Sequence, residues 1–594
     1  MLIEWIKIKG FRNFDDCCIN LANQTLIIGA NDVGKTNLIY ALRILFDRSL
    51  SDRDLELSDG DYNVYAKTDE IEITVKLTNV VEDCLRSVFK GDLKEGNVYI
   101  QYQNTKNGEH TFLSGHAEDV LENKNSRFYL KRLNMEYVNT NRNLSSFMKR
   151  EKNQILDDAK ISLIDDLKAD DERVINDLKE NLKTINSKVD NLNYVKKSLE
   201  NVNSELEGLA IHNEGQKLSF KNASSNTTKL LENLELVYAA DGEELTLGGD
   251  GRSNQIFLAT WVAKQKTRRT IEKVTFFAIE EPEAHLHPHQ QKKLSSYLLS
   301  NFEDQIFITT HSPHIASEFR PDKIVKLYSK NRKTKVAQGG CSERIKIDFN
   351  DFGYRLNAIT ADVFFVNAVL LVEGPSEKLF YTALSKKLDI DLDRLNISII
   401  PVDGIGFKPY IKICLALDIP FVFRTDNDIF SKTKKISKEV TLDLLYYAGV
   451  SRVMGIYEEL LKDSNPKLLE YWNLNKDQNE WNKENEIPKE TLLLLDNVKK
   501  EAETQNIFLS KVDLEEDLAN SILFSSLSEF YGTTMRDKVI KKMKKAKAEN
   551  MLSYLNDNFD SLEVLKNDAI TQPLTEVKNL AEKVVRESVE DCTT

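Results

Sequence analysis

Residues 26–46 read LIIGANDVGKTNLIYALRILF. Three apolar residues run into Gly29, a polar turn follows, and apolar residues then return at helical spacing. The turn fits G-x-x-x-x-G-K-[ST] and has the context that pattern needs, a strand before and a helix after. Its glycines let backbone N–H groups face a phosphate, and the start of the helix adds positive potential. Lys35 would then reach the β- and γ-phosphates of a nucleotide, and Thr36 would ligate Mg²⁺. Gly29, Asn31, Gly34, Lys35, Thr36 and Asn37 are the nucleotide-binding candidates here. The plainer alternative is a glycine turn capping a helix, and the flanking strand and helix argue against it.

Either side of this loop, residues 1–28, 71–78 and 97–103 alternate apolar and polar, as half-buried strands do. The acidic partners a phosphate loop requires come more than 200 residues later. VTFFAIEEPEAHLHP (274–288) is an apolar strand ending in acids. Glu280 would hold the Mg²⁺ water and Glu281 would polarise the attacking water. IFITTHS (306–312) is another apolar strand, and its His311 is placed to sense a γ-phosphate. LGGDGRSNQ (247–255) is a glycine turn ahead of a helix, and Gly248 and Gly249 would close on the γ-phosphate of a second subunit. His285, His287 and His289 invite a metal assignment, but positions i and i+2 do not share a helix face. An ordinary loop at a subunit interface suits them better.

From about 150 to 210 the character changes: charge is dense and Pro and Gly are nearly absent. Leu178, Leu182, Ile185, Val189, Leu192, Leu199, Val202, Leu206 and Leu209 follow a coiled-coil seam with one skip. This predicts a helical arm that meets a partner, with two helices packed inside one subunit as the alternative. Residues 329–344 read as a linker or hairpin. From about 364 strands and helices alternate in α/β fashion, and the last 150 residues look mainly helical.

A second acidic group lies in this α/β part. In VLLVEGPSEKLFYTAL (369–384) an apolar strand ends on Glu373, and Glu377 follows one turn into a helix. In FVFRTDND (421–428), Asp426 and Asp428 stand at i and i+2, which share one face of an extended segment. Parallel sheets bring strand C-termini to one edge, so all four acids can share a pocket. Like charges gathered there need a cation, and carboxylate oxygens select Mg²⁺ or Mn²⁺. Such ions activate water and stabilise a leaving oxygen in phosphodiester cleavage. Helix caps and turn acids are the alternative, and it would win for TDND alone.

Composition bounds these expectations. The formal charge is −13, from 81 Lys+Arg against 94 Asp+Glu, so any nucleic-acid contact must be a local patch. KVIKKMKKAKAENML (538–552) is the best such patch, and SKTKKISK (431–438) a second. The six cysteines are scattered with no C-x-x-C pair, which suits a reducing cytoplasm. No apolar run approaches the roughly 20 residues of a membrane helix.

The phosphate loop, LGGDG, EEPEAHLHP and TTHS, in that order, resemble ABC-type ATPase heads of the SMC/RecF kind. Two departures stand out: Glu280 replaces the usual Asp, and LGGDG differs from the transporter signature. VEGPSEK and TDND resemble the two motifs of a Toprim domain. The combination, together with IKGFRNF and KVDLEEDL, resembles the OLD (overcoming lysogenisation defect) family of nucleases, and within it the Gabija anti-phage kind. The fold implied is α/β: an ATPase head with a helical dimerisation insertion, then a Toprim domain with a helical C-terminal part. The boundaries expected are 1–149 and 236–345 for the two halves of the head, 150–235 for the arm, and 346–594 for the Toprim part.

By the same resemblance Glu373, Glu377, Asp426 and Asp428 match metal ligands. Asp513 matches a further acid, with Glu515 close by, and a C-terminal lysine supports the scissile phosphate. Lys547 suits that role best and Lys545 is second. The implied activity is metal-dependent cleavage of double-stranded DNA with Mg²⁺ or Mn²⁺, controlled by ATP with Mg²⁺ at the head. A dimer or tetramer and a separately encoded UvrD-like helicase are implied partners. A stand-alone or retron-associated OLD nuclease, and an ATP-driven DNA clamp that does not cut, are the alternatives.

Overall fold

The computed structural model describes, apart from isolated positions, residues 1–140, 163–198, 238–240, 243–245, 250–268, 272–341, 361–435 and 441–589. The chain forms two compact units, Met1–Asn139 with Ile271–Thr594, and Thr140–Thr270.

The first unit begins with two sheets around one core. The outer sheet is antiparallel, in the order β2 (Asp16–Asn20), β1 (Leu2–Lys9), β4 (Glu70–Thr78), β5 (Val98–Thr105), β6 (Thr111–Ala117) and β7 (Val120–Asn123). Its strands alternate buried and accessible residues, the pattern of a sheet with one face on a core. The second sheet runs β14 (Lys333–Val336), β13 (Ile324–Lys330), β3 (Gln24–Ile28), β12 (Ile306–Thr309), β11 (Val274–Glu280) and β8 (Leu133–Val138). All its pairings are parallel except β13 with β14, which form a hairpin. The near-continuous apolar runs of β3, β11 and β12 follow from burial on both faces. The helix Lys35–Phe46 lies in the same core, burying Leu38, Leu42, Leu45 and Phe46 with Ile6, Ile73 and Phe276.

Register sets the head's chemistry. Ile27 pairs with Thr309, and Thr309 with Glu280. The phosphate loop, the EEPE acids and His311 therefore leave three neighbouring strands at one level, although the sequence separates them by some 250 positions.

The C-terminal part of this unit has a parallel sheet, β16 (Ile397–Pro401), β15 (Ala368–Val372), β17 (Phe421–Thr425) and β21 (Ile507–Leu509). The helix Pro375–Lys387 and the helices after residue 513 cover it through a core of Leu370, Phe380, Val422, Leu518, Tyr554 and Val577. The helix Gln572–Val589 packs on β15, β16 and β17 and also meets β13 of the head. A smaller antiparallel sheet, β18 (Ile429–Lys435), β19 (Thr441–Tyr447) and β20 (Glu480–Asn482), is inserted directly after Asp428.

The second unit holds the helix Asp165–Asp190, the short ribbon of β9 (Tyr238–Ala240) with β10 (Glu243–Leu245), and the helix Asp250–Arg268. Of the seam, Leu182 is buried whereas Ile185 and Leu192 are exposed. Leu199, Leu206, Leu209, Gly248 and Gly249 lie outside the described residues. No described helix is long and apolar enough to cross a membrane.

Candidate functional site

The phosphate loop leaves β3 through Gly29, whose φ of +153° only glycine adopts comfortably. A Cβ there would stand 2.4 Å from the Leu327 carbonyl oxygen of β13. The Lys35 ammonium is buried and donates to the carbonyls of Gly29 (3.0 Å) and Ala30 (2.7 Å). Burial lowers its pKa, against the pull of Glu281, Asp32, Glu283 and Glu280. Thr36 hydrogen-bonds the Glu280 carboxylate, which also accepts from Tyr137 at 3.0 Å. Burial raises the Glu280 pKa. Asn37 donates to Asn13 (2.8 Å) and accepts from Arg12 (2.7 Å), so it braces the start of the helix. Asn31 is exposed at the loop tip.

Glu281 and His311 face each other, Oε1 to Nε2, at 3.3 Å. Burial lowers the His311 pKa, and Lys35 lowers it further. Glu283 accepts from the Thr310 hydroxyl and the His311 N–H, both at 2.7 Å. It thus fixes the loop that carries His311. Sequence reasoning passed over Glu283, although EEPE offered it, and over Tyr137, which carried no signal of its own.

The second site lies at the C-terminal rim of the parallel sheet. Glu373 follows β15, and its Oε1 accepts from the Thr425 hydroxyl (2.6 Å), the Asp426 N–H (3.2 Å) and the Arg452 guanidinium. Glu377 turns inward. One oxygen accepts from the Gly374 N–H at 2.9 Å, closing the helix start, and the other from Arg424 at 2.7 Å. Arg424 is fully enclosed and reaches Asp517 at 2.7 Å. Burial raises the pKa of Glu377 and of Asp426, against the pull of Arg424.

The strand β17 ends at Thr425, so Asp426 and Asp428 do not share a strand face. They lie on a loop whose Asn427 N–H donates to the Val512 carbonyl at 2.6 Å. Burial, and then the charge of Asp513, raise the pKa of Asp428. Asp513 caps the helix Leu514–Asn520, accepting from the Glu516 N–H at 3.0 Å, and Glu515 is buried in that helix's first turn.

Lys547, at the start of the helix Lys547–Asp557, joins these acids. Its Nζ is 2.9 Å from Glu515, 3.6 Å from Asp513 and 3.9 Å from Asp426. Lys544 is 2.8 Å from Asp513. Glu373, Asp426, Asp428, Asp513 and Glu515 thus surround one rim, whereas Glu377 is spent on backbone and Arg424.

No group of three His, Cys, Asp or Glu side chains among the described residues stands close enough to hold a metal as placed. Lys547 and Arg452 sit among the same carboxylates. The donor set is nonetheless all oxygen and rich in buried acid, the chemistry of a hard divalent cation. Arg424 and Arg452 were missed in the sequence. Arg424 was detectable as a lone charge in an apolar strand, FVFRT, whereas Arg452 lies in an unremarked helix.

Comparison with known proteins agrees with this layout. The AAA ATPase domain family matches residues 1–145 and 128–316, more than half of the chain. The family described as overcoming lysogenization defect protein-like, TOPRIM domain, matches residues 364–428, from before β15 through Asp428. The chain belongs to the AAA ATPase domain family. An ATPase head thus precedes a TOPRIM domain here. Endonuclease GajA of Bacillus cereus strain VD045 is 26% identical over 93% of this chain and 94% of its own length. The OLD nuclease of Thermus scotoductus is 26% identical over 74% of this chain and 84% of its own. A solved SMC head bound to the C-winged helix domain of ScpA aligns over 57% of this chain and 97% of its own, at 16% identity and a TM-score of 0.34.

Proposed function

We propose that this chain is a nucleotide-controlled, divalent-metal-dependent DNA endonuclease acting in the cytoplasm in anti-phage defence. The observation that carries the reading is Lys547 within 3.9 Å of Asp426, Asp513 and Glu515, with Glu373 accepting from the Asp426 N–H. Acids from three separate strand ends meet around one cation-binding rim, and an ammonium lies with them for a phosphate oxygen.

Glu373, Asp426, Asp428, Asp513 and Glu515 would hold Mg²⁺ or Mn²⁺, which supplies an activated water and charge stabilisation for phosphodiester hydrolysis. Lys547 binds and orients the scissile phosphate. Arg424 and Glu377 fix the floor beneath Asp426. In the head, Lys35 and Thr36 bind ATP with Mg²⁺, Glu281 orients water and His311 senses the γ-phosphate. The GajA and OLD nuclease names of the relatives support cleavage; a homo-oligomer working with a separately encoded helicase is part of the same proposal.

The test is supercoiled plasmid incubated with the pure protein, with Mg²⁺ or Mn²⁺ and with EDTA, each with and without ATP. Metal-dependent nicking is expected. Glu373→Ala should lose it while retaining nucleotide binding, and persistent cleavage by that variant would overturn the site.

A further inference from the structure

The sheet inserted after Asp428 leaves the acid loop and returns to it. Asp428 is followed at once by β18, and when β19 ends the Ala448 N–H donates back to the Asp428 carbonyl at 2.9 Å. The Val450 N–H donates to Asn427 Oδ1 at 3.1 Å. A Cβ on Gly449 would lie 2.3 Å from the Asp426 carbonyl oxygen. Both feet of this finger are therefore fixed to the loop that carries Asp426 and Asp428.

The finger's two faces differ. On one, Tyr447 and Trp481 pack against each other, 5.3 Å between ring centroids, and both are buried. The strand alternation puts Phe430 and Tyr446 on the opposite face. They are direct cross-strand partners and meet edge to face at 6.4 Å and 84°. Phe430 is 49% exposed, although large aromatic side chains are usually covered. The Lys432 ammonium is 5.5 Å from the centre of the Tyr446 ring and pairs with Glu480. The strand continues with Lys434 and Lys435 in sequence.

Phe430 is two residues from Asp428, which limits their Cα separation to about 7 Å. This puts the exposed ring within one nucleotide's length of the loop that carries the acids. An aromatic face gains little from a closed duplex, where every base is already stacked. It gains from a base that has left the stack.

We propose that Phe430, supported by Tyr446, stacks on an unpaired nucleotide of the bound DNA next to the cleaved bond. The finger thereby favours DNA that is locally opened over a fully paired duplex. This rests on the nuclease reading above and adds the form of substrate to it.

The test measures equilibrium binding of fluorescein-labelled oligonucleotides in EDTA, where no cutting occurs. The probes are a single strand, a duplex with one unpaired nucleotide and a fully paired duplex. Phe430→Ala should weaken the first two by about ten-fold and the third by about two-fold or less, and Phe430→Trp should restore affinity. Unchanged circular dichroism and nucleotide binding would establish that the variants fold. Equal affinity of wild type and Phe430→Ala for every probe overturns the proposal, as does an equal loss on all three. If wild type cuts plasmid while Phe430→Ala binds as wild type does, only this proposal fails. If wild type neither cuts nor binds any probe, the nuclease reading fails with it.

Discussion

The Lys547 ammonium stands 2.9 Å from the Glu515 carboxylate, although the two residues begin different helices. Burial opposes the charge on Lys547, but Glu515, Asp426 and Asp513 outweigh it and raise its pKa. One side chain thus neutralises acids that would otherwise repel. Lys547→Met should lower plasmid nicking by at least about a hundred-fold, the scale on which a preorganised charge at a reacting oxygen acts. Lys547→Arg should retain part of it. Nicking rates, set beside nucleotide affinity as a control for folding, check this.

Gly449 makes a steric prediction. Any side chain there meets the Asp426 carbonyl oxygen at 2.3 Å. Gly449→Ala should displace the acid loop and reduce nicking by ten-fold or more, while ATP binding at the head stays at the wild-type level. Wild-type nicking by this variant would show that the loop tolerates displacement.

In the head, the Glu281 and His311 side chains face each other at 3.3 Å beside the buried Lys35. Glu281→Gln keeps the shape and removes the base. It should slow ATP hydrolysis by about a hundred-fold with little change in ATP affinity. Lys35→Ala should instead abolish measurable binding. Isothermal titration and phosphate release separate the two effects.

Lys326 of β13 is buried against Cys414 and Asp418, and burial lowers its pKa to about 8. The unfolded chain holds that proton up to about pH 10.4. Between these values the unfolded state binds more protons, so this group's contribution to stability rises with pH. Below pH 8 the whole cost of burying the charge is present, on the order of 3 kcal/mol. Lys326→Met should therefore melt above wild type at pH 7, and the gap should close as pH rises from 8 to 10.5. A gap independent of pH would assign the effect to packing instead.

The sequence exposed whatever chemistry writes as a short local string. The phosphate loop, EEPE, TTHS, VEGPSEK and TDND were all readable because each joins an apolar strand to a few functional side chains. The stretch 329–344, expected as a linker or hairpin, holds the end of β13 and all of β14 among its described residues. What escaped was non-local or short. β21 has only three residues, too few for a period, yet it completes the sheet and presents Asp513. Arg452 reaches Glu373 from a helix entered only after the finger, so no spacing rule points to it. Asp426 and Asp428 were expected on one strand face, but β17 ends one residue before them and a loop aims them instead.

The order in which the acid rim is assembled has a consequence for synthesis. The phosphate loop lies within the first 40 residues, but Asp513, Glu515 and Lys547 come late, and the helix Gln572–Val589 adds Leu574, Val577 and Ala581 to the core beneath Glu373. Domains emerge from the ribosome N-terminal part first. A growing chain can therefore bring its phosphate loop, EEPE acids and His311 out of the ribosome well before the late residues that the proposed cutting site requires, so the two halves of the proposed activity become available in a fixed order.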